Sequence, residues 1–394
     1  MSQLYLPAFF VHTISAILVP YLQIIIRNHG YSHASIGVLL GLFEAVGIIS
    51  PFILADWADR TGRPRMVLLF ITMGTFAFTI PLTLFGHPVA TVASIILLAF
   101  FFKPVWPIQD AMFMHRIGSD LWQYTKLRSS GTLGFISFSL FFQFSGVLHV
   151  TDNRSMLLWA GVATCLYLGA LAILKPDEAI AKHERRKITW NFWRSKGKEA
   201  VFSRKLIIGI SVIAMNRLAM AAIANFFPLY VTEELHRGEL VSILMAFAAM
   251  TELGFMLLGG RLLRSGVRPI ILIGISSLGL CFRLLSYMLI PTLAGAVVGQ
   301  LFHSVVYGFF HPAAIMFVNN NIAPERRAVG MALYTSVGIG LPTVVGAGIG
   351  GYVVEWIGFG RMFGSYTVFA ILSLVMIFLF RKVLLKRAVA SPGA

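Results

Sequence analysis

Apolar residues in this chain fall in long, nearly unbroken runs divided by short polar stretches. Runs of the roughly 20 residues that a helix needs to cross a bilayer recur at 4–27, 33–55, 66–86, 90–114, 128–149, 154–174, 205–231, 240–260, 269–290, 293–318, 328–354 and 361–381. The pattern predicts an all-α membrane protein with twelve transmembrane helices. A barrel would show strict alternation over about ten residues, whereas a run such as 157–174 is apolar on every face. A helix also satisfies its own backbone in lipid. The first run opens at Leu4 with no basic segment before it and no small-residue cleavage site, so it is expected to be a span and not a cleaved signal peptide.

The longest polar stretch, 175–204, separates six runs from six and predicts an N-terminal half at 1–174, a cytoplasmic linker, and a C-terminal half at 205–394. Within the linker, the basic run 182–187 is followed by Trp190, Phe192 and Trp193. That mixture suits a helix lying on an anionic membrane surface. The halves repeat each other. Phe102-Lys103-Pro104 in the fourth run matches Phe310-His311-Pro312 in the tenth, and a short basic loop ending in Gly and Pro follows both the second and the eighth. Such a repeat is expected of two parallel six-helix halves around a midplane site.

Composition agrees with the pattern, since 57% of the 394 residues are hydrophobic and 12% charged, far from the soluble range. A net charge of +16 would suggest nucleic acid in a soluble protein. Here its placement argues otherwise. With the N-terminus inside and loops alternating, 25 of the 32 Lys and Arg fall in inside segments, four in outside segments and three within spans. The positive-inside rule then places both termini in the cytoplasm, in a cell (inner) membrane. The expected partners are the lipid bilayer and a small-molecule solute, with no nucleic acid and a monomeric chain. Cys165 and Cys281 lie in separate runs without metal-type spacing. No phosphate-binding glycine loop, nucleophile elbow or zinc spacing is present, so neither an enzyme nor a metal or cofactor is expected.

Six charged side chains interrupt these runs: Glu44, Lys103, Asp110, Arg217, Glu252 and Arg283. Each costs a few kcal/mol or more at membrane depth, so chains that keep them usually route an ion or polar solute past them. His12, His303 and His311 lie in similar runs and can change charge near neutral pH. His303, Tyr307 and His311 share one helix face at i, i+4 and i+8, while Lys103, Trp106 and Asp110 share another. An ionised carboxylate in a low dielectric is stabilised by a nearby arginine, so movement of Arg283 relative to Glu252 could switch a proton on or off. Glu44 is the charge most open to a purely structural role. Glycines 338, 340, 346, 348, 350 and 351 predict close helix packing around the eleventh run.

The loop Ala55-Asp56-Trp57-Ala58-Asp59-Arg60-Thr61-Gly62-Arg63-Pro64-Arg65 resembles the signature between helices two and three of the major facilitator superfamily. It departs from that signature at Ala55, where Gly is usual, and at Pro64, which splits the final basic pair. The resemblance implies a gating motif of Asp56, Asp59, Arg60, Gly62 and Arg63. Further segments are Pro107-Ile108-Gln109-Asp110-Ala111, Tyr124 with Arg128, Gly131 and Gly134, Leu333-Tyr334, and Glu252, Arg283, Gln300, Leu301, His303 and Tyr307–His311. Together these resemble the phenylpropionate permease group, related to lactose permease and nucleoside proton symporters.

That resemblance implies proton-coupled uptake, with the proton as coupling ion. Glu252 would be the proton carrier, Arg283 the cation that discharges it and His303 the polar link. Val306 stands where sugar-transporting relatives carry a second carboxylate, which weakens a sugar reading. In this superfamily spans one, four, seven and ten line the central cavity. The implied solute contacts are therefore His12, Gln23, Lys103, Trp106, Asp110, Arg217, Asn225, Gln300, Tyr307 and His311. Lys103 and Arg217, with Trp106 for an aromatic ring, point toward an aromatic carboxylate. The alternatives are a sugar or nucleoside, an exporter, or a membrane sensor that transports nothing. The span-five pattern typical of antiporters is absent from 131–146.

Overall fold

A computed structural model describes residues 2–117, 121–175, 202–323 and 326–385. The basic and aromatic part of the linker, including Trp190, Phe192 and Trp193, lies outside the described residues. The chain forms α1 (Tyr5–Asn28), α2 (His33–Thr61), α3 (Pro64–Leu84), α4 (Pro88–Phe102), α5 (Val105–Ile117), α6 (Leu121–Ser145) and α7 (Asn153–Ile173). It continues with α8 (Arg204–Leu229), α9 (Val241–Arg264), α10 (Pro269–Leu289), α11 (Leu293–Asn320), α12 (Arg327–Leu333) and α13 (Leu341–Leu379). Among the described residues the secondary structure is helical, and ten helical segments are long and apolar enough to cross a membrane.

The remaining two predicted spans have local explanations. The fifth predicted run is α6, which carries more polar residues than its neighbours and falls outside those ten. The last two runs form the single segment Val329–Leu379, but Gly358 breaks it with φ 79°, a left-handed angle that glycine adopts without a Cβ clash. The fourth run is one spanning segment, Pro88–Ile117, with a local break at Lys103-Pro104 that divides it into α4 and α5, where proline removes an amide donor.

Sequence punctuation sets the other helix ends. Pro64, Pro88 and Pro269 occupy the first turn of α3, α4 and α10, where a missing N–H leaves no bond unmade. The side chains of Ser32, Asp152 and Thr292 accept hydrogen bonds from the first turns of α2, α7 and α11. Gly62 ends α2 at φ 61°.

The residues gather into two compact units. One holds α1–α7 with Asn225–Ala249 and Ala347–Trp356, and the other holds the helical parts before Asn225, Met250–Gly346, and the chain from Ile357 onward. In the second unit, Leu206, Ile210, Ile273, Phe309, Phe310 and Phe317 form part of the buried core. Hydroxyls join its helices where water is absent. Ser276 donates to the Val306 carbonyl at 2.8 Å, and Ser373 donates to the Val212 carbonyl at 3.1 Å.

The predicted glycine packing is present in each unit. In the first, a Cβ on Gly351 would lie 2.2 Å from the His33 carbonyl and 2.9 Å from the Gly37 Cα. In the second, a Cβ on Gly346 would lie 2.4 Å from the Ala221 Cβ. Gly351→Leu is therefore expected to separate α2 from α13 and destabilise the protein by about 1–3 kcal/mol, the usual range for overpacking. Unfolding of the purified protein with denaturant would measure it; a variant as stable as wild type would show that this approach is not tight.

Candidate functional site

The second unit brings together seven of the side chains singled out in the sequence. His303 Nε2 lies 3.1 Å from Glu252 Oε2, joining α11 to α9 through a hydrogen bond whose proton either partner can carry. Arg283 on α10 is buried and turned elsewhere. It donates to Gln300 Oε1 at 2.7 Å and to the Tyr287 hydroxyl at 3.1 Å, with Met220 Sδ at 4.0 Å. Arg283 makes no ion pair among the described residues, and in this structure it is bonded away from Glu252. Neutral acceptors hold the guanidinium instead, because Gln300 and Tyr287 each offer an oxygen inside its reach.

The helical spacing of His303, Tyr307 and His311 produces a column of rings along α11. Tyr307 stacks on His303 with centroids 4.5 Å apart, and His311 follows at 5.6 Å. His311 Nδ1 is hydrogen-bonded to the Tyr334 hydroxyl at 3.3 Å. Arg217 on α8 lies against this column, its guanidinium carbon 5.5 Å from the Tyr307 centroid and 5.3 Å from that of Phe310. Such cation–π contacts contribute roughly 0.5–2 kcal/mol, less than a guanidinium loses on leaving water. Arg217 Nε, Gln300 Nε2 and His303 Nδ1 are buried without a hydrogen-bond partner. Arg217 therefore differs from the other in-span cations in having neither a carboxylate nor an amide acceptor among the described residues.

The first unit holds the other candidates, and here the charges are paired. Lys103 Nζ donates to Glu44 Oε1 at 2.7 Å and lies 4.7 Å from the Phe43 ring centroid. Gly47 makes room for the lysine stem, since a Cβ there would lie 2.8 Å from Lys103 Cγ. Asp110 accepts from Arg128 at 3.0 Å and is also hydrogen-bonded by Tyr124. Trp106 packs edge-on against Phe102 with centroids 4.7 Å apart. Gln23 is buried and donates to the Pro20 carbonyl at 3.2 Å, while His12 Nδ1 is 3.3 Å from the Ala8 carbonyl and packs against Gly131. These bonds run along α1 itself. Asn225, on the last turns of α8, is buried in this unit.

The loop expected to act as a gate forms the end of α2 and the start of α3. Asp56 and Arg60 make an exposed i,i+4 ion pair at 2.6 Å, and Gly62 supplies the turn that leads through Arg63 to Pro64. Arg65 reaches another helix, donating to the carbonyls of Leu171 and Ala172 at the end of α7, both at 2.8 Å. Asp59 lines a cleft of about 360 Å3 that also touches Ala58, Gly62, Ala111, Met112 and His115.

Sequence reasoning assigned no site role to Arg128, Tyr334, Tyr287 or Phe310. Arg128 stands 18 residues from Asp110 on another helix, at the edge of a run where it counts as a loop cation. Phe310 and Tyr334 carry no charge to draw attention inside an apolar run.

Comparison with known proteins adds lineage to this geometry. The sequence model of the MFS_1-like family matches residues 1–365. The maltose permease of Geobacillus stearothermophilus is 24% identical over 380 residues, covering 93% of this chain and 90% of the permease. The nucleoside permease NupG of Escherichia coli (strain K12) is 23% identical over 346 residues, covering 82% and 80%. Among solved structures, the nucleoside transporter NupG superposes with a TM-score of 0.77 at 20% identity, over 98% of this chain and 99% of that one. A POT family transporter in complex with a thioalcohol-conjugated peptide gives a TM-score of 0.75 at 14% identity, over 98% and 96%.

Proposed function

Because the chain belongs to the MFS_1-like family of the major facilitator superfamily, we propose that it is a proton-coupled symporter that imports a small organic solute by alternating access. The observation that carries this reading is the hydrogen bond between Glu252 and His303 inside apolar helices, with Arg283 held apart on Gln300 and Tyr287. A carboxylate beside an imidazole can take and release a proton, and a mobile guanidinium nearby can compete with that proton for the carboxylate. Exchange of Arg283 between Gln300 and Glu252 would then couple protonation to the state of the site. In the proposed topology both termini are cytoplasmic, in a cell membrane, and the chain works as a monomer.

For the solute we infer an aromatic carboxylate anchored at Arg217. That guanidinium has an unpartnered buried Nε and aromatic faces beside it, and a carboxylate matches its donor fork. Lys103 loses the anchoring role that its sequence suggested, since Glu44 already accepts from it. The narrower phenylpropionate likeness rests on motifs alone. A neutral solute is the second reading, favoured by relatives that are named as nucleoside and maltose permeases.

Proteoliposomes with an imposed inward proton gradient test the direction of coupling, with benzoate, uridine and maltose as probes. Accumulation of benzoate above its outside concentration, abolished by a protonophore, is the expected result. Gradient-driven efflux would overturn symport, and accumulation of uridine or maltose alone would overturn the carboxylate.

A further inference from the structure

At the end of the first unit away from the Asp56–Arg65 loop, three helices converge on one carboxylate. Glu233 accepts from Arg27 Nε of α1 at 2.7 Å and from Arg27 Nη2 at 3.4 Å. Its second oxygen also lies 3.0 Å from His33 Nε2 at the start of α2. Arg27 is itself fixed by a 2.8 Å bond from Nη1 to the Tyr31 carbonyl. Beside this cluster, Glu355 of α13 accepts from the Ala34 amide at 2.9 Å, on the residue next to His33. Tyr21 and Ser242 share a hydrogen bond, and the Ile243 amide donates to Gln143 at 3.3 Å.

The chain around Glu233 is irregular. Residues Tyr230–Glu234 form a π-helical turn two residues after Pro228, and His236 adopts φ 51°. A π-helical turn is a weak point in a helix that often marks a functional site, and a left-handed angle at a residue other than glycine is strained. The segment that carries Glu233 is thus held by side-chain bonds to α1 and α2 while its own backbone is poised to rearrange.

We propose that Glu233 is a clasp closing the ends of α1, α2 and α8, and that the charge on His33 sets how firmly the clasp holds. Among the charged groups facing His33 are Glu233, Arg27 through their shared carboxylate, and Glu355 on α13. A neutral His33 donates one hydrogen bond to Glu233. A protonated His33 keeps that bond and adds attraction to both carboxylates, against repulsion from Arg27, which Glu233 screens by sitting between them. Acid on this side, by charging His33, therefore tightens the clasp and alkali loosens it. In the proposed topology this side faces outward, so external acid slows opening even as it supplies protons to the symport.

The test uses spin labels at Ser35→Cys and Glu239→Cys, both exposed positions, with Cys165 and Cys281 replaced by serine and the protein in lipid nanodiscs. Pulsed electron–electron distance measurements at pH 5.5 and 8 are expected to show a short-distance population at least threefold larger, relative to the open one, at the acid pH. His33→Gln, which keeps a hydrogen-bond donor but cannot be charged, removes that pH dependence. Glu233→Gln lowers the short-distance population at both pH values, and Glu233→Asp gives an intermediate result. A pH dependence that persists in His33→Gln, or an unchanged short-distance population in Glu233→Gln, overturns the proposal. These distances are read without a solute or a proton gradient, so they stand or fall separately from symport.

Discussion

Glu252→Gln is expected to abolish uphill accumulation while leaving exchange of labelled for unlabelled solute within about threefold of wild type. Glutamine keeps the size and one hydrogen bond to His303, so the 3.1 Å contact survives. What it loses is the exchangeable proton on the carboxylate. A carrier with this site permanently neutral can still reorient with solute bound, because in the proposed cycle the loaded wild-type site is also neutral at that position. It cannot convert a proton gradient into a solute gradient, so the accumulation ratio falls to about one, the limit set by reciprocal linkage between the two ligands. Transport assays in proteoliposomes, with gradient-driven uptake and counterflow measured side by side, would check it. Uphill uptake like that of wild type would remove Glu252 from the coupling machinery.

The second large effect concerns stability and falls on Lys103 and Glu44. Each is about three-quarters buried, with side-chain exposures of 23% and 26%, and they are joined at 2.7 Å. Removing either partner leaves a lone charge at membrane depth, which costs roughly 2.5–3.5 kcal/mol on insertion scales. Partial exposure lowers that figure, so Glu44→Gln and Lys103→Met should each destabilise by about 2 kcal/mol, whereas the double variant should return to within about 1 kcal/mol of wild type. Denaturant unfolding of the four proteins completes the cycle. Additive losses would show that the two side chains are independent. A Lys103→Met that is fully stable but binds benzoate tenfold more weakly would restore Lys103 as a solute contact.

The arrangement of spans was legible because lipid leaves few alternatives. Every polar backbone group must be satisfied within a helix, and the apolar runs had to be about the thickness of the bilayer. Proline and glycine then marked the helix ends, as at Gly62-Arg63-Pro64. The break at Lys103-Pro104 escaped a reading by hydropathy, since the apolar segment continues across it from Pro88 to Ile117. The charges were legible as candidates for the same reason as the spans, because an acid or base at membrane depth is too expensive to be incidental.

Which charge meets which was not legible. Glu252 and His303 lie 51 residues apart, Lys103 and Glu44 59, and Arg27 and Glu233 206. No local periodicity links positions on different helices, so the link between Arg283 and Glu252 rested on the general chemistry of an acid beside an arginine and on the resemblance. The structure instead joins Arg283 to Gln300, one helical turn before His303 on the same helix. Nor could composition tell a paired cation from an unpaired one. Lys103 and Arg217 look alike in the sequence, yet one is paired with Glu44 and the other lies against aromatic rings, with no carboxylate partner among the described residues.

Proton movement tied to solute movement is the core of the proposed mechanism. Adding benzoate to lightly buffered proteoliposomes, with no gradient imposed, should make the outside medium more alkaline as solute enters with protons. The signal should be absent with Glu252→Gln even while counterflow continues. Benzoate entry through the wild-type protein with no change in outside pH, beyond that in protein-free liposomes, would contradict proton symport.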